Sequence, residues 1–135
     1  MAVLIDTNVL LDIAKGDRSW GPWSLATIES LAITDELFVN PVVYAELSIG
    51  FERIEDIDQL LDAIPAVMRE IPRPALFLAG KILQGYRRRG GSKTGVPPDF
   101  FIGAHASIEG MTLLTRDRKR YRHYFPTVDL ISPES

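Results

Sequence analysis

The chain has no cysteine among its 135 residues. That single absence removes a disulfide scaffold, a thiolate zinc site, an iron–sulfur cluster and a thiol nucleophile. Histidine is almost as scarce. The two residues, His105 and His123, stand without a third ligand at metal spacing, and each reads as a structural or surface side chain. Long hydrophobic runs are missing as well, since no apolar stretch approaches the ~18 residues a membrane-spanning helix needs. Met1-Ala2-Val3-Leu4-Ile5 meets Asp6 without the basic and apolar regions of a signal peptide. These absences predict a cytoplasmic protein that does not engage a membrane. No Gly-x-Ser-x-Gly elbow supports a serine hydrolase. Gly90-Gly91-Ser92-Lys93-Thr94 lacks the Gly-x4-Gly-Lys spacing of a P-loop and follows a helical stretch instead of a strand, so it reads as a flexible basic loop.

What is present is an ordinary globular composition, 46% hydrophobic and 24% charged, of a length that fits one domain spanning 1–135. The net charge of −3 hides an asymmetry: residues 1–67 carry 12 acidic and 3 basic side chains (−9), and residues 68–135 carry 6 acidic and 12 basic (+6). One half suits cations and the other polyanions, against the plainer reading of solvated surface.

Apolar patterning predicts strands alternating with helices. Val3-Leu4-Ile5 and Leu37-Phe38-Val39 are short runs of the kind found in strands buried on both faces, and Val67 to Ile71, Met111 to Thr115 and Val128 to Ile131 read as further short strands. Between them fall helical stretches: one after Asp6-Thr7-Asn8, one over Pro22 to Ala32, one opened by Asn40-Pro41, one with Ile54, Ile57, Leu60, Leu61 and Ile64 at helical spacing, one over Ala75 to Arg88, one from Pro97-Pro98-Asp99 to Gly110, and a short one over Asp117 to Tyr124. The alternation implies a single α/β/α domain with a short, mostly parallel sheet of four or five strands.

Four acids stand out by their placement. Asp6 lies just past the first strand, Glu46 one to two turns into the helix after the second, Asp99 at a helix start, and Asp117 two residues beyond a later strand. In open α/β sheets ligands bind in the crevice at the carboxyl ends of the strands, where at least Asp6 and Asp117 would meet. Asp6 and Glu46 also sit in apolar surroundings, where carboxylates are costly unless paired or bound to metal. An all-oxygen cluster favours Mg²⁺ or Mn²⁺, an ion suited to phosphodiester hydrolysis. Local alternatives exist for each: Asp6 as a helix cap, Glu46 paired with a core arginine, Asp99 as a cap after Pro97-Pro98, Asp117 as an exposed first-turn acid.

The segments Ile5-Asp6-Thr7-Asn8-Val9-Leu10, Val43-Tyr44-Ala45-Glu46-Leu47, Pro98-Asp99-Phe100-Phe101-Ile102-Gly103-Ala104 and Leu113-Leu114-Thr115-Arg116-Asp117 resemble, in order and over nearly the whole chain, the PIN-domain ribonucleases, and within them the VapC-type toxins of toxin–antitoxin systems. The resemblance implies a PIN-like fold and metal-dependent endoribonuclease activity on RNA, with tRNA and rRNA as the substrates to test. It implies an acidic quartet of Asp6, Glu46, Asp99 and Asp117 around Mg²⁺ or Mn²⁺, with Asp6 and Asp99 as direct ligands. Thr115 matches a hydroxyl beside the metal and Asn8 a brace of the first turn. It further implies a homodimer and a VapB-like antitoxin that masks the site.

Two basic clusters are candidates for gripping RNA: Arg87, Arg88, Arg89 and Lys93, and Arg116, Arg118, Lys119, Arg120, Arg122 and His123, with Tyr121 and Tyr124 interleaved to stack on bases. Solvated helix faces are the plain alternative. Trp20 and Trp23 suit either a partner surface or core packing. Two rival functions remain: a PIN-like scaffold that binds RNA or protein without cutting it, and a HAD-like phosphatase with Asp6 as nucleophile. The phosphatase is disfavoured because Asn8 stands where that family has a second acid.

Overall fold

The computed structural model describes residues 1–92 and 95–133. Val3, Leu4 and Ile5 are wholly buried in β1 (Ala2–Ile5), a strand covered on both faces, which is why it shows no polar alternation. Leu4 lies opposite Phe38 of β2 (Glu36–Val39) on one side and opposite Leu113 of β4 (Thr112–Leu114) on the other. β3 (Ala66–Met68) extends the sheet beyond β2, and β5 (Leu130–Ile131) extends it beyond β4. The order is β3-β2-β1-β4-β5, and all four pairings are parallel. The expected mostly parallel sheet is therefore parallel throughout among the described residues.

The helices are α1 (Thr7–Lys15), α2 (Gly21–Thr34), α3 (Pro41–Ile49), α4 (Ile54–Ala63), α5 (Arg73–Arg88), α6 (Pro98–Glu109) and α7 (Arg118–Tyr124). Their starts follow local chemistry. Asn40 Oδ1 accepts from the Val43 amide at 2.9 Å while Pro41 takes the first helical position, which fixes where α3 begins. Asp6 caps α1 through the Thr7 amide, and α1 stops at Gly16, whose φ of 62° is the left-handed conformation glycine adopts cheaply. In α6 the side chains of Phe100, Ile102, Ala104, His105 and Ala106 are all buried, so this helix is central rather than amphipathic. It packs along α5, and the Tyr86 and Phe100 rings meet edge to face with centroids 6.3 Å apart.

The outer strands depart most from expectation. The strand predicted over 67–71 is Ala66–Met68, and the one predicted over 128–131 is confined to Leu130–Ile131. Edge strands bury little: β3 is apolar throughout but only Ala66 is buried, and its pairing with β2 ends at Met68, before Arg69 and Glu70. Proline at position 72 then sends the chain into α5.

The chain steps from β1 out to β3 and returns across the sheet to β4, placing a topological switch point between β1 and β4. The crevice at their carboxyl ends is where such a sheet opens to a ligand. No helix among the described residues is long and apolar enough to cross a membrane.

Candidate active site

The first residue past β1 is Asp6. Its amide donates to the Leu114 carbonyl at 2.9 Å, carrying the β1–β4 pairing one step beyond the strand. This holds the side chain in the crevice, where Oδ1 accepts from the Thr7 amide at 2.8 Å and Oδ2 accepts from the Thr115 hydroxyl at 2.7 Å and from Asn8 Nδ2 at 3.3 Å. Asp6 is buried. Burial raises its pKa to about 6, against the opposing pull of the Thr115 and Thr7 hydrogen bonds, and the nearby charge of Glu46 adds to the rise. Near neutral pH this carboxylate thus carries a charge that its surroundings do not fully compensate.

Thr115, wholly buried, donates to Asp6 and accepts from the Asp117 amide at 3.0 Å, linking the two acids through one hydroxyl. Asn8 spans the same junction: its Nδ2 meets Asp6 and its Oδ1 accepts from the Arg116 amide at 3.2 Å. Asp117 caps α7, accepting from the Arg120 amide at 3.3 Å. Glu46, in the second turn of α3, accepts from the Thr7 hydroxyl at 2.5 Å and not from a core arginine. Asp99 occupies the first turn of α6, whose cap position is Pro97, and is ion-paired to Arg120.

Asp6, Glu46, Asp99 and Asp117 all line one cleft of about 290 Å³, together with Thr7, Asn8 and Tyr121. They are gathered but not clustered. Among the described residues, no three carboxylate or imidazole groups stand close enough to form a ready-made cation site. Two of the acids are engaged by other side chains: Thr7 holds the Glu46 carboxylate and Arg120 holds that of Asp99.

Two further residues line the cleft beside those the sequence singles out as site residues. Thr7 reads from sequence as part of a helix start, and its bond to Glu46 joins segments 39 positions apart. Tyr121 reads from sequence as a base-stacking aromatic, and the structure corrects this: the side chain is buried, one turn along α7 from Asp117. Its hydroxyl faces Asp6 closely enough to influence that charge, yet makes no hydrogen bond of good geometry. Burial, then the charges of Asp6 and Asp99, push its pKa well above the usual phenol value, so it remains a proton donor. Its four-residue spacing from Asp117 was the available clue.

The candidate RNA-gripping residues divide. Arg116 is committed inward, with Nε and Nη2 bonded to the buried Asp12 at 2.6 and 3.0 Å and its guanidinium 5.4 Å from the Trp20 ring centre. This corrects its assignment to a solvent-facing cluster: a buried carboxylate required a cation. Arg118 reaches Ser132 at 3.2 Å, and Arg120 is paired with Asp99. Arg87, Arg88 and Arg89 are exposed at the carboxyl end of α5, and Lys119 is exposed on α7. Lys93 lies outside the described residues. His105 is structural: its Nε2 lies 2.8 Å from Glu109 and its Nδ1 3.2 Å from Asn40, and burial lowers its pKa, which suits a neutral ring accepting at Nδ1. His123 is exposed.

A sheet whose central switch point gathers four acids defines a class of α/β protein with an acidic crevice. A model of the PIN domain matches residues 3–126, and the chain belongs to the PIN domain family. Over 56 residues it is 30% identical to a protein of Rickettsia bellii named ribonuclease VapC, a match covering 42% of this chain and 36% of that relative. The chain thus spans little more than a third of that relative's length in the match. The fold is similar to the crystal structure of VapBC2 from Rickettsia felis bound to a promoter DNA fragment, with TM-score 0.74 and 20% identity over 98% of both chains. It is also similar to VapBC-1 from nontypeable Haemophilus influenzae, with TM-score 0.68 and 18% identity over 98% of both chains.

Proposed function

We propose that this chain is a Mg²⁺- or Mn²⁺-dependent endoribonuclease toxin that hydrolyses RNA phosphodiester bonds and is neutralised by a VapB-like antitoxin. The observation that carries the reading is the convergence of Asp6, Glu46, Asp99 and Asp117, from four separate segments, on one cleft at the sheet's switch point. The kinship to a ribonuclease VapC and the likeness to VapBC complexes support the toxin role and the antitoxin partner. A cytoplasmic location and a homodimer belong to the same reading.

The residues fit a hard divalent ion. Every charged donor in the cleft is a carboxylate, and Asp6 is buried with its charged form disfavoured, the condition a cation relieves. Asp6 and Asp99 would hold the ion, and Glu46 and Asp117 would complete its surroundings. When bound, it supplies Lewis-acid polarisation of a phosphoryl oxygen. The chain's own groups do the rest. Thr115 and Thr7 hold Asp6 in place, Glu46 and Asp117 help to orient or deprotonate the attacking water, and Tyr121 keeps its proton and offers a donor to the cleft.

The test is incubation of the antitoxin-free chain with tRNA and rRNA in Mg²⁺, Mn²⁺ or EDTA, beside Asp99→Asn. Cleavage is expected only for the wild type with metal. Equal cleavage by the mutant, or cleavage that survives EDTA, sinks the reading. RNA binding without products would favour the inert scaffold.

A further inference from the structure

Arg120 belongs to two places at once. From α7 its guanidinium reaches the first turn of α6 and is ion-paired there with Oδ2 of Asp99, on the wall of the acid cleft. The same residue lines a second cavity of about 640 Å³ along α7, formed with Lys119, Arg122, His123 and Tyr124. Asp117 lines both spaces, so the groove adjoins the cleft at that residue.

The Arg120 amide donates to Asp117 at 3.3 Å, and its Nε is buried beside Asp99 while other parts of the side chain reach the surface. About a third of the side chain is exposed, at 36%. Arg116 differs, being held bidentate by an Asp12 that is only 5% exposed. A guanidinium beside Asp99 stands in for a cation in an acidic cleft. A divalent ion at the same carboxylate repels it, and the adjoining groove is the nearest place for it to go. There a guanidinium has another natural partner, because its planar fork matches phosphate oxygens.

We propose that Arg120 works in two positions: paired with Asp99 it occupies the cation's place in the metal-free protein, and released by the ion it becomes the innermost phosphate-binding group of the α7 groove. The inference rests on the nuclease reading above and adds a coupling between metal and RNA. Binding of the ion frees a phosphate ligand, so each should strengthen the other.

The experiment uses the full chain as wild type, Arg120→Gln and Lys119→Gln. Mn²⁺ binding is measured by calorimetry without RNA. Binding of an uncleavable 2′-O-methyl oligoribonucleotide is measured by fluorescence anisotropy with and without Mn²⁺. Arg120→Gln should bind Mn²⁺ about fivefold or more tightly than wild type, because its competitor is gone, while the exposed Lys119→Gln stays within about twofold. Mn²⁺ should strengthen RNA binding by the wild type, and Arg120→Gln should lose most of that gain. Unchanged or weaker Mn²⁺ binding by Arg120→Gln overturns the proposal, as does equal tightening in Lys119→Gln, which would signal only general electrostatics. An undiminished Mn²⁺-dependent gain in RNA binding by Arg120→Gln overturns the phosphate role. Failure of every chain, wild type included, to bind Mn²⁺ defeats the metal-nuclease reading and this inference with it.

Discussion

The Thr115 hydroxyl donates to Oδ2 of Asp6 at 2.7 Å, joining residues 109 positions apart at the carboxyl ends of adjacent parallel strands. The bond does two jobs: it orients a buried carboxylate and, by favouring the charged form, restrains the rise that burial imposes on its pKa. Thr115→Val keeps the shape and removes the hydroxyl. The Asp6 pKa should rise further, moving the acid limb of the pH–rate profile for RNA cleavage to higher pH, and cleavage should fall about tenfold or more. Stability should drop by about 1–2 kcal/mol, because the Asp117 amide also loses its acceptor. Thr115→Ser should recover most of both. A pH profile that does not move in Thr115→Val would contradict the coupling.

Asp6 itself should destabilise the metal-free protein. Its folded pKa of about 6 lies above the unfolded value of 3.8, so the folded state binds this proton more tightly. The stability it contributes is present below about pH 4 and is lost as pH rises through 6, a difference of about 3 kcal/mol at most. Asp6→Asn should therefore be more stable than wild type in urea melts at pH 8 with EDTA, by about 2 kcal/mol, and the advantage should shrink toward pH 4. Saturating Mn²⁺ should stabilise the wild type and not the mutant. An Asp6→Asn protein less stable than wild type at pH 8 would show that the carboxylate is already compensated without metal.

Much of this arrangement is legible from sequence because it is written locally. Val3-Leu4-Ile5 announces a strand buried on both faces, Asn40-Pro41 announces a helix start, and acids just past such strand ends fall into the crevice by topology alone. The thin outer strands were less legible, since Ala66 is the only buried residue of β3 and two residues make up β5. Long-range partners were not legible at all. Nothing near Arg116 says that Asp12, 104 positions earlier, needs a counter-charge, and nothing near Arg120 points to Asp99. A run of basic residues looks uniformly solvated until tertiary packing sorts the committed from the exposed.

The Asp12–Arg116 pair should respond asymmetrically to mutation. Asp12 is 5% exposed and also accepts from Ser24 at 3.2 Å, whereas Arg116 is 29% exposed and stacks near Trp20. Arg116→Ala leaves a buried carboxylate with one hydroxyl for company and should cost about 3–5 kcal/mol. Asp12→Ala frees a guanidinium that can turn to water and should cost clearly less. In a double-mutant cycle by urea unfolding, Asp12→Ala combined with Arg116→Ala should fall well short of the sum of the single effects. Equal single-mutant costs would mean that the burial difference has no energetic consequence.

The position of α7 also depends on a missing methyl group. Gly103 lies in α6 beneath the Phe125 ring, and a Cβ there would stand 2.3 Å from two ring carbons. Phe125 is buried at the end of α7, so the ring cannot give way without moving the chain that carries Tyr121 and Arg120. Gly103→Ala should improve local helix propensity by somewhat under 1 kcal/mol, but the overpacking should outweigh it, giving a net loss of about 1–3 kcal/mol in thermal or urea melts. The displacement reaches the cleft through Tyr121, so RNA cleavage should fall in Gly103→Ala even at temperatures where the variant is fully folded. Adding Phe125→Leu should return much of the stability by making room for the methyl group. If the double variant is no more stable than Gly103→Ala, the contact with Phe125 is not what requires glycine.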